Sequence, residues 1–171
     1  MQLKDQSNKT KSNKTDIYVL YRKEALEMTR LAFEHFKEAT KAYQQKDHFS
    51  AKQHSMAGRK IRLMVEEHNY NAAKEIFKIN NRKNKIWRID LHGLHGSEAI
   101  QILQSRLNEI IATQSKSLEV ITGVGKHSHG KPVLPMIITK FLKENNYQFE
   151  EIRPGALKVW IFSSQNKLAS H

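Results

Sequence analysis

Ile89-Asp90-Leu91-His92-Gly93-Leu94-His95-Gly96, followed about thirty residues later by Ile121-Thr122-Gly123-Val124-Gly125-Lys126-His127-Ser128, decides how this chain is read. Each segment is a short apolar run that opens into glycine and polar side chains, the pattern of a strand ending in a loop. Residues 86–91 read as the first strand, and residues 97–112 as a helix with Ser97 as N-cap. Residues 118–122 read as a second strand and residues 132–143 as a second helix. Residues 147–152 and 157–162 read as two strands joined through the turn signal Arg153-Pro154-Gly155. The order β-α-β-α-β-β predicts an α+β domain: a mixed sheet with helices packed on it, closed by a β-hairpin.

Upstream the pattern is helical. From residue 17 to residue 81 there is no proline, and the only glycine is Gly58. Tyr21, Ala25, Met28, Ala32, Phe36, Ala39 and Tyr43 recur at gaps of three and four, the stripe of an amphipathic helix. A break near residues 45–48, with Asp47 as N-cap, leads to a second stripe at Ala57, Ile61, Met64, His68 and Ala72. The short connection predicts an antiparallel helical hairpin. Residues 1–16 hold almost nothing to bury and are expected to be disordered. The expected organisation is therefore a basic tail (1–16), a helical hairpin (17–81), the sheet domain (82–163) and a short tail (164–171).

Composition narrows the partner. Lys and Arg number 29 against 17 acidic residues, a formal charge of +12, and residues 82–171 hold thirteen of the basic and seven of the acidic side chains. That excess favours a polyanion, with nucleic acid the commonest. Without cysteine there is no disulfide, no thiolate metal site and no thiol nucleophile, which fits a cytoplasmic or nuclear protein. The N-terminus has no apolar core of a secretory signal. The longest apolar run, residues 133–138, is far too short for a bilayer, so no membrane partner is expected.

Asp90 and His92 are two apart on a strand and so share a face. A carboxylate beside an imidazole sets its tautomer, which general acid–base chemistry needs; a turn-stabilising pair is the plainer alternative. Gly123 and Gly125 let backbone N–H groups approach a phosphate. In a parallel β-α-β arrangement both loops leave at the C-terminal ends of adjacent strands, where open α/β sheets place ligands. Histidines at 92, 95, 127 and 129 are the right type for a metal, but no spacing demands one, and none is assigned. The glycine spacing matches neither Gly-x-Gly-x-x-Gly nor a Gly-Lys-Ser/Thr loop, so no nucleotide cofactor is expected.

Taken together, Asp90-Leu91-His92-Gly93, Thr122-Gly123-x-Gly125-x-His127-Ser128 and Arg153-Pro154-Gly155-x-x-Lys158-Val159 resemble the signature of the Smr (small MutS-related) domain. The hairpin resembles the DUF1771 region that precedes Smr domains, through Tyr21-Arg22, Ala42-Tyr43 and Ala72-Ala73…Ile76-Phe77…Asn80-Asn81. The Smr resemblance implies a fold like the C-terminal domain of translation initiation factor three. It implies an endonuclease acting on RNA, with DNA as the alternative substrate, in mRNA surveillance at stalled ribosomes. Asp90, His92 and His127 are then the catalytic candidates. Gly123, Gly125, Lys126, Ser128, Lys131, Arg153 and Lys158 are the nucleic-acid-binding candidates. One departure bears on activity: many eukaryotic relatives have arginine between the loop glycines, where this chain has Val124. Two other functions follow from the same residues. One is a non-catalytic RNA- or ribosome-binding module; the other makes the hairpin a protein-interaction element.

Overall fold

The computed structural model describes residues 6–113, 115–125 and 132–161. Cα packing divides the chain into two compact units, Met1–Glu75 and Ile76–His171. The boundary falls inside a helix, so the second unit includes that helix's last turn and a half.

In the first unit α1 spans Gln6–Gln44, and α2 (His48–Asn81) begins there. Residues 6–16, expected to be disordered, are helical; they contain no Gly or Pro, and extending a helix already nucleated costs little. The Asp47 carboxylate accepts from the Ser50 N–H at 3.0 Å, the N-cap expected of it. Hydrogen bonds from the Ser50 side chain and backbone hold that carboxyl below its ordinary pKa. The helices are antiparallel. Arg22 donates to the Asn69 side-chain oxygen at 2.8 Å, Gly58 lies on the Phe36 ring, and Tyr43 meets His48 edge to face. Their seam is made of small residues, with Ala25, Ala32, Ala51 and Ala72 buried. Tyr43, expected on the buried stripe, is 66% exposed, because at the hairpin's end the seam has run out.

The second unit carries β1 (Arg88–Asp90), α3 (Gly96–Ala112), β2 (Ser117–Ile121), α4 (Val133–Glu144), β3 (Phe149–Arg153) and β4 (Ala156–Trp160). The expected element order holds. The four strands form one mixed sheet in the order β1-β2-β4-β3, with β1 and β2 parallel and the other pairs antiparallel. Leu118, Val120 and Val159 are buried and alternate with part-exposed Ser117, Glu119 and Lys158, so one sheet face is covered. Ile89, Leu91, Leu103, Leu107, Ile110, Ile138 and Leu142 complete that core.

The element ends differ from expectation for local reasons. β1 starts late because the Arg88 N–H closes a turn onto Lys85 at 3.0 Å. β3 starts late because Asn146 is left-handed (φ 57°) and the Tyr147 N–H caps α4 through the Leu142 carbonyl at 2.9 Å. α3 is capped by His95, not Ser97: Glu98, three residues on, accepts from the His95 N–H at 2.8 Å. No helix is long and apolar enough to cross a membrane, among the described residues.

Candidate active site

Because β1 and β2 are parallel neighbours, with Asp90 opposite Ile121, the segments following them emerge at the same sheet edge. The Leu91 N–H donates to the Ile121 carbonyl at 2.8 Å, the last rung of that pairing. Beyond it the backbone turns through Gly93 (φ 79°), and Leu94 N–H closes onto the Leu91 carbonyl at 3.2 Å.

Asp90 and His92 are joined twice. One Asp90 carboxylate oxygen accepts from the His92 backbone N–H at 3.1 Å and lies 2.5 Å from His92 Nδ1. The side chains are 15% and 32% exposed, so the pair is largely screened but accessible at the imidazole. A carboxylate on Nδ1 selects the tautomer protonated there and makes Nε2 the basic nitrogen. The plain structural reading and the catalytic one thus share a single geometry: the turn bond and the imidazole bond use the same oxygen.

The glycine segment lies against this pair. A Cβ on Gly123 would stand 3.1 Å from the His92 Cβ, and Gly123 has φ 75°. The β3–β4 turn supports it from behind. The Gly155 carbonyl accepts from the Thr122 and Gly123 N–H groups at 2.9 and 3.1 Å. The Gly123 N–H is thus engaged by Gly155 in this structure. Gly125 (φ 69°) sits on Pro132, where a Cβ would come within 2.9 Å of the Pro132 Cα. Val124, between them, is 43% exposed.

The remaining candidates are scattered. Arg153 donates to the Glu119 carboxylate at 2.6 Å on the open sheet face, with Arg88 also 3.7 Å from that carboxylate. A guanidinium so engaged must leave Glu119 before it can clamp a phosphate. Lys158 stands over the Trp160 ring at 5.7 Å and lines a shallow open-face cleft with Trp87, Lys116, Glu119 and Ile152. Lys126, His127, Ser128 and Lys131 lie outside the described residues. Among the described residues no cluster of three potential metal ligands occurs.

Sequence reasoning missed three contributors. Asn81 and Asn80, at the end of α2, hydrogen-bond the backbone of Asp90 and His92. Gly155 was read only as a turn residue. None has a local signal for this role, because each acts on a residue in another element.

Known family models match both segments of the chain. Residues 18–81 match the family model for a domain of unknown function, DUF1771, and residues 89–157 match the Smr domain model. The chain is 34% identical to human NEDD4-binding protein 2 over 82% of its own length but 8% of that protein. It is 37% identical to Endonuclease NBR9 of Saccharomyces cerevisiae over 59% of its own length and 45% of that protein. A solution structure of the B3BP Smr domain is 38% identical, covering 56% of this chain and 98% of that one, with a TM-score of 0.45. With a DUF1771 match ending at residue 81 and an Smr match opening at residue 89, the chain belongs to the Smr domain proteins that carry a DUF1771 segment ahead of the Smr domain.

Proposed function

We propose that this protein is a nucleic-acid endonuclease, directed at RNA, that acts in mRNA surveillance at stalled ribosomes. The observation that carries the reading is the Asp90–His92 pair, held at the sheet edge with the Gly123 backbone packed against it. The charge of +12 suits a polyanionic substrate, and a relative 37% identical is named an endonuclease.

With its Nδ1 proton held by Asp90, His92 takes the proton of a ribose 2′-hydroxyl through Nε2. The 2′-oxygen forms its bond to phosphorus as the bond to the 5′-oxygen breaks. The leaving oxygen takes a proton, from His92 in its protonated form or from water. The products are a 2′,3′-cyclic phosphate and a 5′-hydroxyl. Developing charge on the phosphoryl oxygens requires cationic or N–H donors, and Lys126 is the nearest basic residue in the chain to the glycine pair.

The second reading is a non-catalytic RNA- or ribosome-binding module. Two observations favour it: exposed Val124 offers no charge between the loop glycines, and the Gly123 N–H is already bound. End-labelled single-stranded RNA, incubated with and without chelator and analysed for cyclic-phosphate ends, decides between them. Cleavage with cyclic-phosphate ends supports the proposal; tight binding with intact RNA replaces it with the module.

A further inference from the structure

β1 is an edge strand. Its Trp87 carbonyl and Leu91 N–H bond to β2, so the N–H and C=O of Asp90, on the alternate parity, face away from the sheet. Left there they would be an open edge, able to slide, fray or pair elsewhere. The Asn81 side chain closes it. Its amide oxygen accepts from the Asp90 N–H and its amide nitrogen donates to the Asp90 carbonyl, both at 2.8 Å. One amide group reproduces the two-way pairing of a neighbouring strand.

Asn81 is fully committed. Its oxygen also accepts from the Asn84 side chain at 3.0 Å, and its nitrogen also donates to the Phe77 carbonyl at 3.0 Å. Two donors and two lone pairs are thus all used, a set that carboxylate, hydroxyl and apolar side chains cannot supply. Asn80 makes the companion contact, donating to the His92 carbonyl at 2.8 Å. The last turn of α2 therefore grips the backbone of both members of the Asp90–His92 pair, while the pair's own bonds use the Asp90 side chain.

We infer that Asn80 and Asn81 are positioning residues for the Asp90–His92 pair, so that the residues closing the DUF1771 match complete the reaction edge of the Smr domain. The inference rests on the proposed nuclease reading for its kinetic consequence, but the grip itself is independent of it. Asn81 bonds the backbone of Asp90 and Asn80 the backbone of His92, so each acts on the chain that carries the pair. A shift of a few tenths of an ångström at Asp90 changes the angle at which His92 meets a phosphodiester, which affects turnover more than binding.

The test uses the full chain with Asn81→Ala and Asn80→Ala. Three quantities are measured: single-turnover cleavage of labelled single-stranded RNA, hydrogen exchange at the Asp90 amide, and the His92 imidazole ¹⁵N resonances. Asn81→Ala should raise Asp90 exchange about tenfold or more and leave Leu91, still paired to Ile121, within about threefold. It should shift the His92 ring signals and lower the cleavage rate on the order of tenfold, with RNA affinity within about twofold. Asn80→Ala should shift His92 and slow cleavage while leaving Asp90 exchange unchanged. If Asn81→Ala does not fold, Asn80→Ala decides the question alone through the His92 ring signals and the cleavage rate. Raised Asp90 exchange with unaltered His92 signals and rate would reduce Asn81 to an edge cap and overturn the inference. If the wild type cuts no RNA, the nuclease reading falls, and the exchange and ring signals still decide the grip. If the wild type cuts and both variants match it in rate and ring signals, the grip falls and the nuclease stands.

Discussion

Gly155 lies on Gly123 so closely that a Cβ added to Gly155 would stand 2.5 Å from the Gly123 carbonyl carbon. The β3–β4 turn is therefore a support for the segment that follows β2. Gly155 also has φ 73°, which side-chain-bearing residues adopt at a cost. Gly155→Ala combines that cost with an overlap against backbone, which cannot rotate aside. Urea unfolding should show a loss of at least about 2 kcal/mol. A loss near zero would mean that the turn and the Gly123 segment are not in contact in solution.

His92→Ala removes the imidazole that would move the proton, and Asp90→Asn removes the carboxylate that orients it. Each should slow cleavage by roughly a hundredfold or more while RNA binding stays nearly intact. Asp90→Asn has a further effect, because the amide no longer holds the Nδ1 proton by charge. Equal cleavage rates in both variants and the wild type, measured on one verified preparation, would remove the pair from the reaction.

Thirteen basic residues in 82–171, spread over the domain, imply that phosphates supply much of the affinity. Binding to single-stranded RNA should then weaken by at least about tenfold between roughly 50 and 200 mM salt. An affinity flat across that range would mean that contacts other than phosphates hold the ligand, and would set aside the nucleic-acid reading with it.

Val124 is 43% exposed between two glycines of positive φ, at the site edge. An arginine there has room, and its planar fork holds two phosphate oxygens at once. Val124→Arg should raise the cleavage rate on the order of tenfold, more than it tightens ground-state binding. Tighter binding with no gain in rate would make the position an anchor. An inert wild type with an equally inert variant, both binding RNA, would leave the binding module as the function.

Much of this protein was legible in its residues. Periods of two and of three to four placed β1 through β4, α3 and α4 in order, because each element must bury one face whatever surrounds it. The Asp90–His92 pairing followed from two-residue spacing, and the Asp47 cap from its place ahead of α2; both are interactions of near neighbours. The strand ends were less legible. Where β1 begins and β3 begins depends on single turn bonds, from Arg88 to Lys85 and from Tyr147 to Leu142, that compete with strand pairing by small margins.

Tertiary structure alone decided what surrounds the pair. Gly155 reaches the Gly123 backbone from 32 residues away, and Asn81 reaches Asp90 from the far side of a turn. Nothing in the residues between them encodes these meetings. The same holds for Arg153, which in isolation reads as a phosphate ligand and in the fold belongs to Glu119. Local propensity depends on a residue and its near neighbours, so sequence pattern reports it. The partner of a polar side chain depends on which strands lie side by side, and that is settled only when β1, β2 and β4 pack against the helices above them.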